Sequence, residues 1–457
     1  MSIIPQDFNQ YKKFSHIHFV GIGGVSMSSL ALILKQQKKT VTGSDSGNGP
    51  TIQKLKDAGI TVYPTHATEN AIGCDLLVYT AAISDNNPEL VYARENEIPM
   101  MERAVLLGYM MAEFKKSVAV SGTHGKTTVT SLLSSVFTAA NTDPTVMVGA
   151  NLKAIGGNYC LGKSDFAVYE ACEYVNSFHH FFPNCAIILN IDEDHLDFFK
   201  DLDAIKKSFI RFTENIDADG FLVINGDDEN CRCVTEQYKG TILTFGLGEG
   251  NTCRAENITV RSGYASFDLI YKDVFQARID LNIPGNHNIT NSLAAACVAF
   301  HYRLTAEDIK KGLEQFTGAD RRFELKGFCN GARIIDDYAH HPTEINVTLN
   351  SAKQAAEHLV YVVFQPHTFT RTFYLMEDFA KALSIADQVI LTDIYAAREI
   401  NKVGVNILDL RDKIPNARYI SKFEDIAATL KSELIDGDIA ILMGAGNVNQ
   451  IAGLLTE

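Results

Sequence analysis

Apolar runs of strand length that stop at a glycine turn and pass into helical periodicity recur along this chain, and they restrict it to sheets of parallel strands covered by helices. HIHFVGIGG, from His16, continues into VSMSSLALILKQ, and SVAVSGTHGKTT, from Ser117, continues into VTSLLSSVF. The strand-like FAVYEA, CAIILNI and FLVING alternate with helical stretches after the second start, and RIIDDYAH, LVYVVFQP, QVILTDIY and DIAILMGAG do so after Asp320. Each of these runs ends in polar or glycine residues. In open α/β sheets that strand end is where ligands bind.

With 457 residues, and about 150 per domain as a prior, the chain is expected to form about three domains. The pattern divides it at residues 1–113, 114–319 and 320–457. The first reads as a Rossmann-like domain, the second as an α/β domain of phosphate-loop type, and the third as Rossmann-like again. Within the second, TILTFGL, NITVRSG, YASFDLIY and VFQARIDLNI alternate in short segments over residues 240–284, which predicts an antiparallel insert.

Composition excludes several classes. No window approaches 18 consecutive apolar residues, and MSIIPQDFNQYKKF lacks the basic start and apolar core of a signal peptide, so the expectation is a cytoplasmic protein without membrane association. A net charge of −14 opposes non-specific binding to nucleic acid. The nine cysteines are scattered without a C-x-x-C pair, which predicts reduced thiols rather than a disulfide framework or zinc site. Phosphorylated or acidic small substrates must then be held by particular Lys, Arg and His residues.

The segment GTHGKTT, Gly122 to Thr128, is the strongest such place. A strand end feeding a helix N-terminus offers backbone N–H groups and the positive end of the helix dipole to phosphate oxygens. Lys126 adds a charge, Thr127 a hydroxyl for magnesium, and Gly122 and Gly125 allow close approach. A full phosphate-loop pattern has a further glycine five residues before Gly125, where this chain has Val120. Glu170, in EACEY, and Asp194 and His195, in NIDEDHLD, also follow apolar strands, so the same sheet edge is expected to carry them. Glu170 suits magnesium, which favours hard oxygen ligands. His195 suits a second metal or a phosphate.

The first glycine turn admits two ligands. GIGGVS has Ser26 where a dinucleotide fingerprint has its third glycine, yet Asp45 follows Gly21 by 24 residues, close to the dinucleotide layout. The same helix N-terminus also suits the pyrophosphate of a sugar nucleotide.

GTHGKTT, EACEY, NIDEDHLD, GNHNITN, RRFE, DDYAHHPTE, FQPHTFTRT, DIYAARE and GAGN occur in the order found in the Mur ligases of peptidoglycan synthesis, which this chain resembles from about residue 16 to its end. The resemblance implies three domains: a Rossmann-like one for a UDP-sugar, a central ATPase, and a C-terminal one for the incoming amino acid. It implies ATP and two magnesium ions as cofactors. GIGGVSMSSLA, with DDYAHHPTE and DIYAARE, implies UDP-N-acetylmuramate and L-alanine as substrates, joined through an acyl phosphate by a monomer or homodimer.

Residue roles follow from the resemblance. Gly122, Thr123, His124, Gly125, Lys126, Thr127 and Thr128 hold ATP phosphates. Thr127, Glu170 and His195 bind metal, with Lys126, Glu170, His195 and His341 catalytic. His287, Asn288 and Asn291 bind adenine, although an Asn here also suits a helix N-cap. Arg322 and Asp337 complete the nucleotide site. Gly23, Gly24, Val25, Ser26, Asp45 and Ser84 face the UDP-sugar. Tyr338, His340, His367, Arg371 and Arg398, walled by Glu399, face the remaining substrate groups, with Arg371 offering a planar fork to the amino acid's carboxylate. The chain departs from the family pattern at Thr368 and Phe369, where Arg-Tyr is usual. A ligase for a preformed tripeptide, and an NAD-binding or regulatory protein that keeps the folds without chemistry, are the alternatives.

Overall fold

The computed structural model describes residues 9–80, 83–195, 198–397 and 399–456, apart from the side chain of Lys153. The chain forms two compact units: Met1–Gly122 with Asn141–Ile191 and Lys206–Leu243, and Thr123–Ala140 with Asp192–Ile205 and Thr244–Glu457.

The first unit opens with strands β1 (His16–Val20), β2 (Thr40–Ser44), β3 (Thr61–Tyr63), β4 (Leu76–Tyr79) and β5 (Met100–Glu102), in a parallel sheet of order β3-β2-β1-β4-β5. Ile17 pairs with Val41 on one side and Leu76 on the other, so β1 is central and four of its five residues are buried. The glycine turn after β1 starts the helix Val25–Gln36, with Gly24 at its N-cap. Next come β6 (Lys116–Ser121), β7 (Thr145–Leu152), β8 (Gly157–Cys160), β9 (Phe166–Glu170), β10 (Cys185–Ile188) and β11 (Phe221–Asn225), in spatial order β11-β10-β6-β9-β7-β8. All four residues of β10 are buried between β6 and β11, which explains its unbroken apolar run. Each such Ile gains about 1.5–3 kcal/mol from burial. The β7–β8 hairpin is antiparallel and was not predicted: GANLKAIGGNY carries neither strict alternation nor a two-residue hairpin turn.

β12 (Thr241–Gly246) spans the boundary after Leu243, and its second-unit end pairs in parallel with β13 (Cys253–Arg261) through Phe245 and Cys253. β13, β14 (Tyr264–Tyr271) and β15 (Val274–Pro284) form the expected antiparallel meander. The helices Lys126–Ala139, His287–His301 and Ala306–Gln315 pack on one another. A Cβ at Gly312 would lie 2.4 Å from Val136 Cα, so only glycine permits this helix crossing. The C-terminal sheet has order β16-β17-β21-β18-β19-β20. Here β17 (Ala332–Asp337), β18 (Val360–Phe364), β19 (Gln388–Leu391), β20 (Arg418–Tyr419) and β21 (Ile439–Met443) are parallel, while β16 (Glu324–Cys329) is an antiparallel edge strand beside β17. Apolar side chains fill both faces, Val362, Phe364 and Ile441 on one and Val363, Ala440 and Leu442 on the other. All nine cysteines are free, as expected.

Candidate active site

The glycine loop has the predicted conformation. β6 ends at Ser121, Gly122 takes φ 134° and Gly125 takes φ 86° as the N-cap of the helix that begins at Lys126. A Cβ at Gly122 would stand 2.9 Å from Leu189 Cβ. Lys126 Nζ donates to Thr123 O at 3.0 Å, which folds its side chain back over the loop. Thr123 Oγ1 accepts the Asp192 N–H at 2.9 Å, tying the loop to the segment that leads to His195. Arg322 Nη2 donates to Thr127 Oγ1 at 3.4 Å, so the arginine from DRRFE meets the hydroxyl expected at the phosphates.

A charged cluster lies beside this loop. His124 Nε2 is 3.3 Å from Asp192 Oδ2, and its Nδ1 is 3.4 Å from Glu344 Oε1. Burial alone would lower the pKa of this imidazole, but its hydrogen bonds to Asp192 and Glu344 prevail and raise it to about 9. Both carboxylates are correspondingly depressed. His124, Asp192 and His341 bring potential ligand atoms within 4.8 Å of one another, yet an imidazolium donating to two carboxylates has no lone pair for a metal. His341 caps the helix Pro342–Ala355, its Nδ1 accepting the Thr343 N–H at 3.3 Å. Its Nε2, 3.0 Å from Glu193 O, must then carry the proton. Thr343 Oγ1 donates to Asp192 Oδ2 at 2.8 Å.

The acceptor side of the site gathers Tyr338, His340, His367 and Arg371. His340 Nδ1 lies 3.0 Å from Tyr338 O and 3.3 Å from Glu344 Oε2. Burial outweighs that carboxylate and pushes the imidazole down to about 4, so the contact is a hydrogen bond and not an ion pair. With Nδ1 donating, Nε2 keeps its lone pair. The rings of His340 and His367 are 5.9 Å apart, and His367 stacks on Tyr395 at 5.7 Å. Burial and Arg371 hold His367 near 4 as well. Its Nδ1 is buried and without a hydrogen-bond partner among the described residues. Arg371 Nη2 donates to Asp194 Oδ1 at 2.9 Å, both side chains being largely buried. Glu399 accepts from the N–H and hydroxyl of Thr370, fixing the start of the helix Phe369–Tyr374. Arg398 lies outside the described residues.

Other predicted residues are engaged within the protein. The Asp337 carboxylate accepts the Phe323 and Ala339 N–H groups at 2.7 and 2.8 Å, which fixes the turn carrying Arg322. Asn288 Nδ2 donates to Pro284 O at 2.7 Å and Asn291 Nδ2 to Asn288 Oδ1 at 2.9 Å. The N-cap of that helix is Asn286, and no side chain caps it, against the N-cap expectation. Burial and the nearby Arg322 lower His287 to about 4.

In the first unit, Glu170 ends β9 opposite Val120, two residues before Gly122. Its Oε1 accepts the Gly149 N–H at 2.8 Å, while Oε2 takes no donor among the described residues. The Gly23–Ser26 turn opens its helix as expected. Asp45 accepts the Gly23 and Gly47 N–H groups at 2.8 Å each and so closes the turn on itself. Ser26 Oγ accepts from Arg103, and Ser84 O accepts the Asn87 N–H at the start of the helix Pro88–Glu95.

Sequence reasoning missed Asp192 and Glu344 as partners of His124, and Thr343 as a donor to Asp192. The one signal was the His341-x-x-Glu344 spacing at a helix start. It also missed the buried Glu89, which accepts from Ser44 Oγ at 2.6 Å and Asn70 Nδ2 at 2.7 Å, just before Asp45.

Three family models match the chain: "Mur ligase family, catalytic domain" over residues 16–115, "Mur ligase middle domain" over 120–299 and "Mur ligase, glutamate ligase domain" over 321–446. The UDP-N-acetylmuramate–L-alanine ligase of Clostridium botulinum strain Langeland is 46% identical over 445 residues, covering 96% of this chain and 97% of its own. That of Clostridium tetani is 46% identical over 457 residues, covering 99% of each. Among solved structures, the UDP-N-acetylmuramate–alanine ligase of Thermotoga maritima superposes with a TM-score of 0.81 at 29% identity, covering 96% of this chain and 97% of that one. A murein peptide ligase of Psychrobacter arcticus shares the fold, with a TM-score of 0.75 at 24% identity over 96% of this chain and 98% of that one.

Proposed function

The chain belongs to the Mur ligase family, and we propose that it joins the amine of L-alanine to the lactyl carboxylate of UDP-N-acetylmuramate with ATP, in the synthesis of peptidoglycan precursor. The observation that carries this reading is the identity of 46% across 96% of the chain with ligases of that name. The glycine loop and the neutral histidines around Arg371 support it chemically.

A carboxylate does not acylate an amine, because its oxygen is too poor a leaving group. Transfer of the γ-phosphoryl group of ATP to the lactyl oxygen gives an acyl phosphate; the alanine amine attacks its carbonyl carbon, and phosphate departs. Gly122 to Thr128 hold the nucleotide phosphates by backbone N–H groups, and Lys126 places its charge where negative charge builds during transfer. Arg322, already on the hydroxyl of Thr127, adds a second cation there. Thr127, Glu170 and His195 are the residues for magnesium; a hydroxyl and a carboxylate whose Oε2 takes no donor among the described residues suit that hard ion, which when bound would neutralise phosphate charge. The amine must attack as the free base. His340, held neutral with Nε2 unprotonated, offers a lone pair that can accept a hydrogen bond from that amine.

The UDP-sugar belongs over the Gly23–Ser26 turn in residues 1–113, ATP in 114–319 and the amino acid in 320–457. Among the described residues no helix is long and apolar enough to cross a membrane, in keeping with a reaction on cytoplasmic nucleotides. Phosphate release with ATP, magnesium and UDP-N-acetylmuramate, compared across L-alanine, L-serine, glycine and the stem tripeptide, tests the reading. L-Alanine should give the highest kcat/KM. Preference for the tripeptide, or no release with any acceptor, would overturn it.

A further inference from the structure

Asp194 is not required by the chemistry above, yet it holds the one group best suited to grip an amino acid. Its Oδ1 accepts two hydrogen bonds, from its neighbour's backbone, His195 N–H at 2.7 Å, and from Arg371 Nη2 at 2.9 Å. Arg371 donates from its guanidinium to no other group among the described residues, so its remaining N–H donors are uncommitted. Asp194 Oδ2 also faces His195 Nε2, at 3.8 Å, and burial keeps His340 and His367 near 4 and therefore neutral at physiological pH, so among the described residues the guanidinium is the one permanent positive charge hydrogen-bonded to Asp194. Thr368 and Phe369, on the same turn, bring no second cation. Thr368 also takes φ 69°, a costly conformation for a β-branched residue, which sets the start of the helix that carries Arg371. The Nδ1 atom of His367, buried and unpartnered, indicates that a polar group belongs beside this pair.

One buried guanidinium neutralises one carboxylate. A second carboxylate entering beside Arg371 while Asp194 remains would be a desolvated anion without a counter-charge. We propose that Asp194 occupies, on Arg371, the place of the incoming amino acid's α-carboxylate, and that binding of the amino acid exchanges one carboxylate for the other. This rests on the reading of the chain as an L-alanine ligase and adds to it a residue that tempers the grip of Arg371 on the acceptor's carboxylate. An acceptor without a carboxylate does not compete with Asp194 for the guanidinium, so Asp194 raises the KM of L-alanine and leaves that of a carboxylate-free acceptor unchanged.

The test is a cycle between this side chain and the acceptor's own charge. Values of kcat/KM are measured on the full chain and on Asp194→Asn, with L-alanine and with L-alaninamide, which keeps the nucleophilic amine and lacks the carboxylate. Exchange predicts that Asp194→Asn raises the preference for L-alanine over the amide by at least about tenfold, mainly through a lower KM for L-alanine. An unchanged ratio, with both acceptors impaired alike, would show a purely structural aspartate and overturn the proposal. A smaller ratio would show that Asp194 helps Arg371 hold the substrate, and would overturn it too. A crystal structure of the unmodified chain with L-alanine gives a second readout that needs no variant. It should place the alanine carboxylate on Arg371 with Asp194 beyond hydrogen-bonding range; both carboxylates on Arg371 together would refute the exchange. Turnover of L-alanine by the unmodified chain checks the underlying reading separately.

Discussion

His124 sits between two carboxylates that the chain could have left far apart, and its protonation should be measurable. Hydrogen bonds to Asp192 and Glu344, working against burial, raise its pKa from 6.5 to about 9. At 1.36 kcal/mol per unit, this stabilises the folded arrangement by on the order of 3 kcal/mol. A folded pKa above the unfolded one means that the contribution is complete below about pH 6.5 and is lost as pH rises through about 9. Asp192 and Glu344 are depressed and stay ionised throughout that window, so they do not mask the loss. Histidine-labelled protein followed by NMR from pH 6 to 10 should show one of the 13 imidazoles titrating near 9, assigned by its absence in His124→Asn. Glu344→Gln should lower that pKa by about one unit or more, because one of the two accepting charges is gone. Hydrogen exchange in the glycine loop and at the start of the helix Pro342–Ala355 should quicken as pH passes 9. A His124 signal titrating near 6.5, or one indifferent to Glu344→Gln, would refute the assignment of a bridging imidazolium.

Three further outcomes are expected. Lys126→Ala should lower kcat by at least about 100-fold with the fold intact by circular dichroism, since a preorganised charge at the transferring phosphate is removed; near-normal turnover would contradict its role. Gly122→Ala should cost roughly 1–3 kcal/mol in urea unfolding and weaken nucleotide binding, because φ 134° and the 2.9 Å approach to Leu189 both exclude a side chain. Burial favours protonation of Glu89, but the adjacent imidazole of His18 and hydrogen bonds from Ser44 and Asn70 prevail and hold it near 2, so it stabilises the fold above about pH 4.5 and that stability is lost as pH falls through about 2. Glu89→Gln should lower the thermal midpoint at pH 7 by an amount equivalent to roughly 3 kcal/mol and flatten the acid limb; an unchanged melting curve would show that the network is dispensable.

Much of this molecule could be read from its sequence because parallel strands buried on both faces leave unbroken apolar runs. β6, β10, β18 and β21 all lie where SVAVS, CAII, VYVVF and IAILM stand. The glycine loop was legible for a related reason: Gly122 and Gly125 are required by positive φ, and only backbone geometry is at stake. The β7–β8 hairpin and the antiparallel edge β16 were not legible, since partly exposed strands do not need a continuous apolar pattern. Within the site, residue types pointed to Lys126 and Arg371, but not to what each touches. Asp192 and Glu344 meet His124 across 68 and 220 residues of sequence, and Asp194 meets Arg371 across 177. Such pairings depend on tertiary packing, and a single sequence carries no record of them. Asp45 shows the converse case, with the residue type and spacing of a ribose ligand and a carboxylate engaged by backbone N–H groups.

The account turns on phosphoryl transfer to the sugar nucleotide's carboxylate before the amine attacks. Oxygen-18 in the lactyl carboxylate of UDP-N-acetylmuramate follows that step directly by mass spectrometry of the products formed with ATP and L-alanine. The account predicts that each phosphate released carries one labelled oxygen and that the nucleotide product is ADP. Unlabelled phosphate alongside labelled amide, or formation of AMP and pyrophosphate, would contradict it.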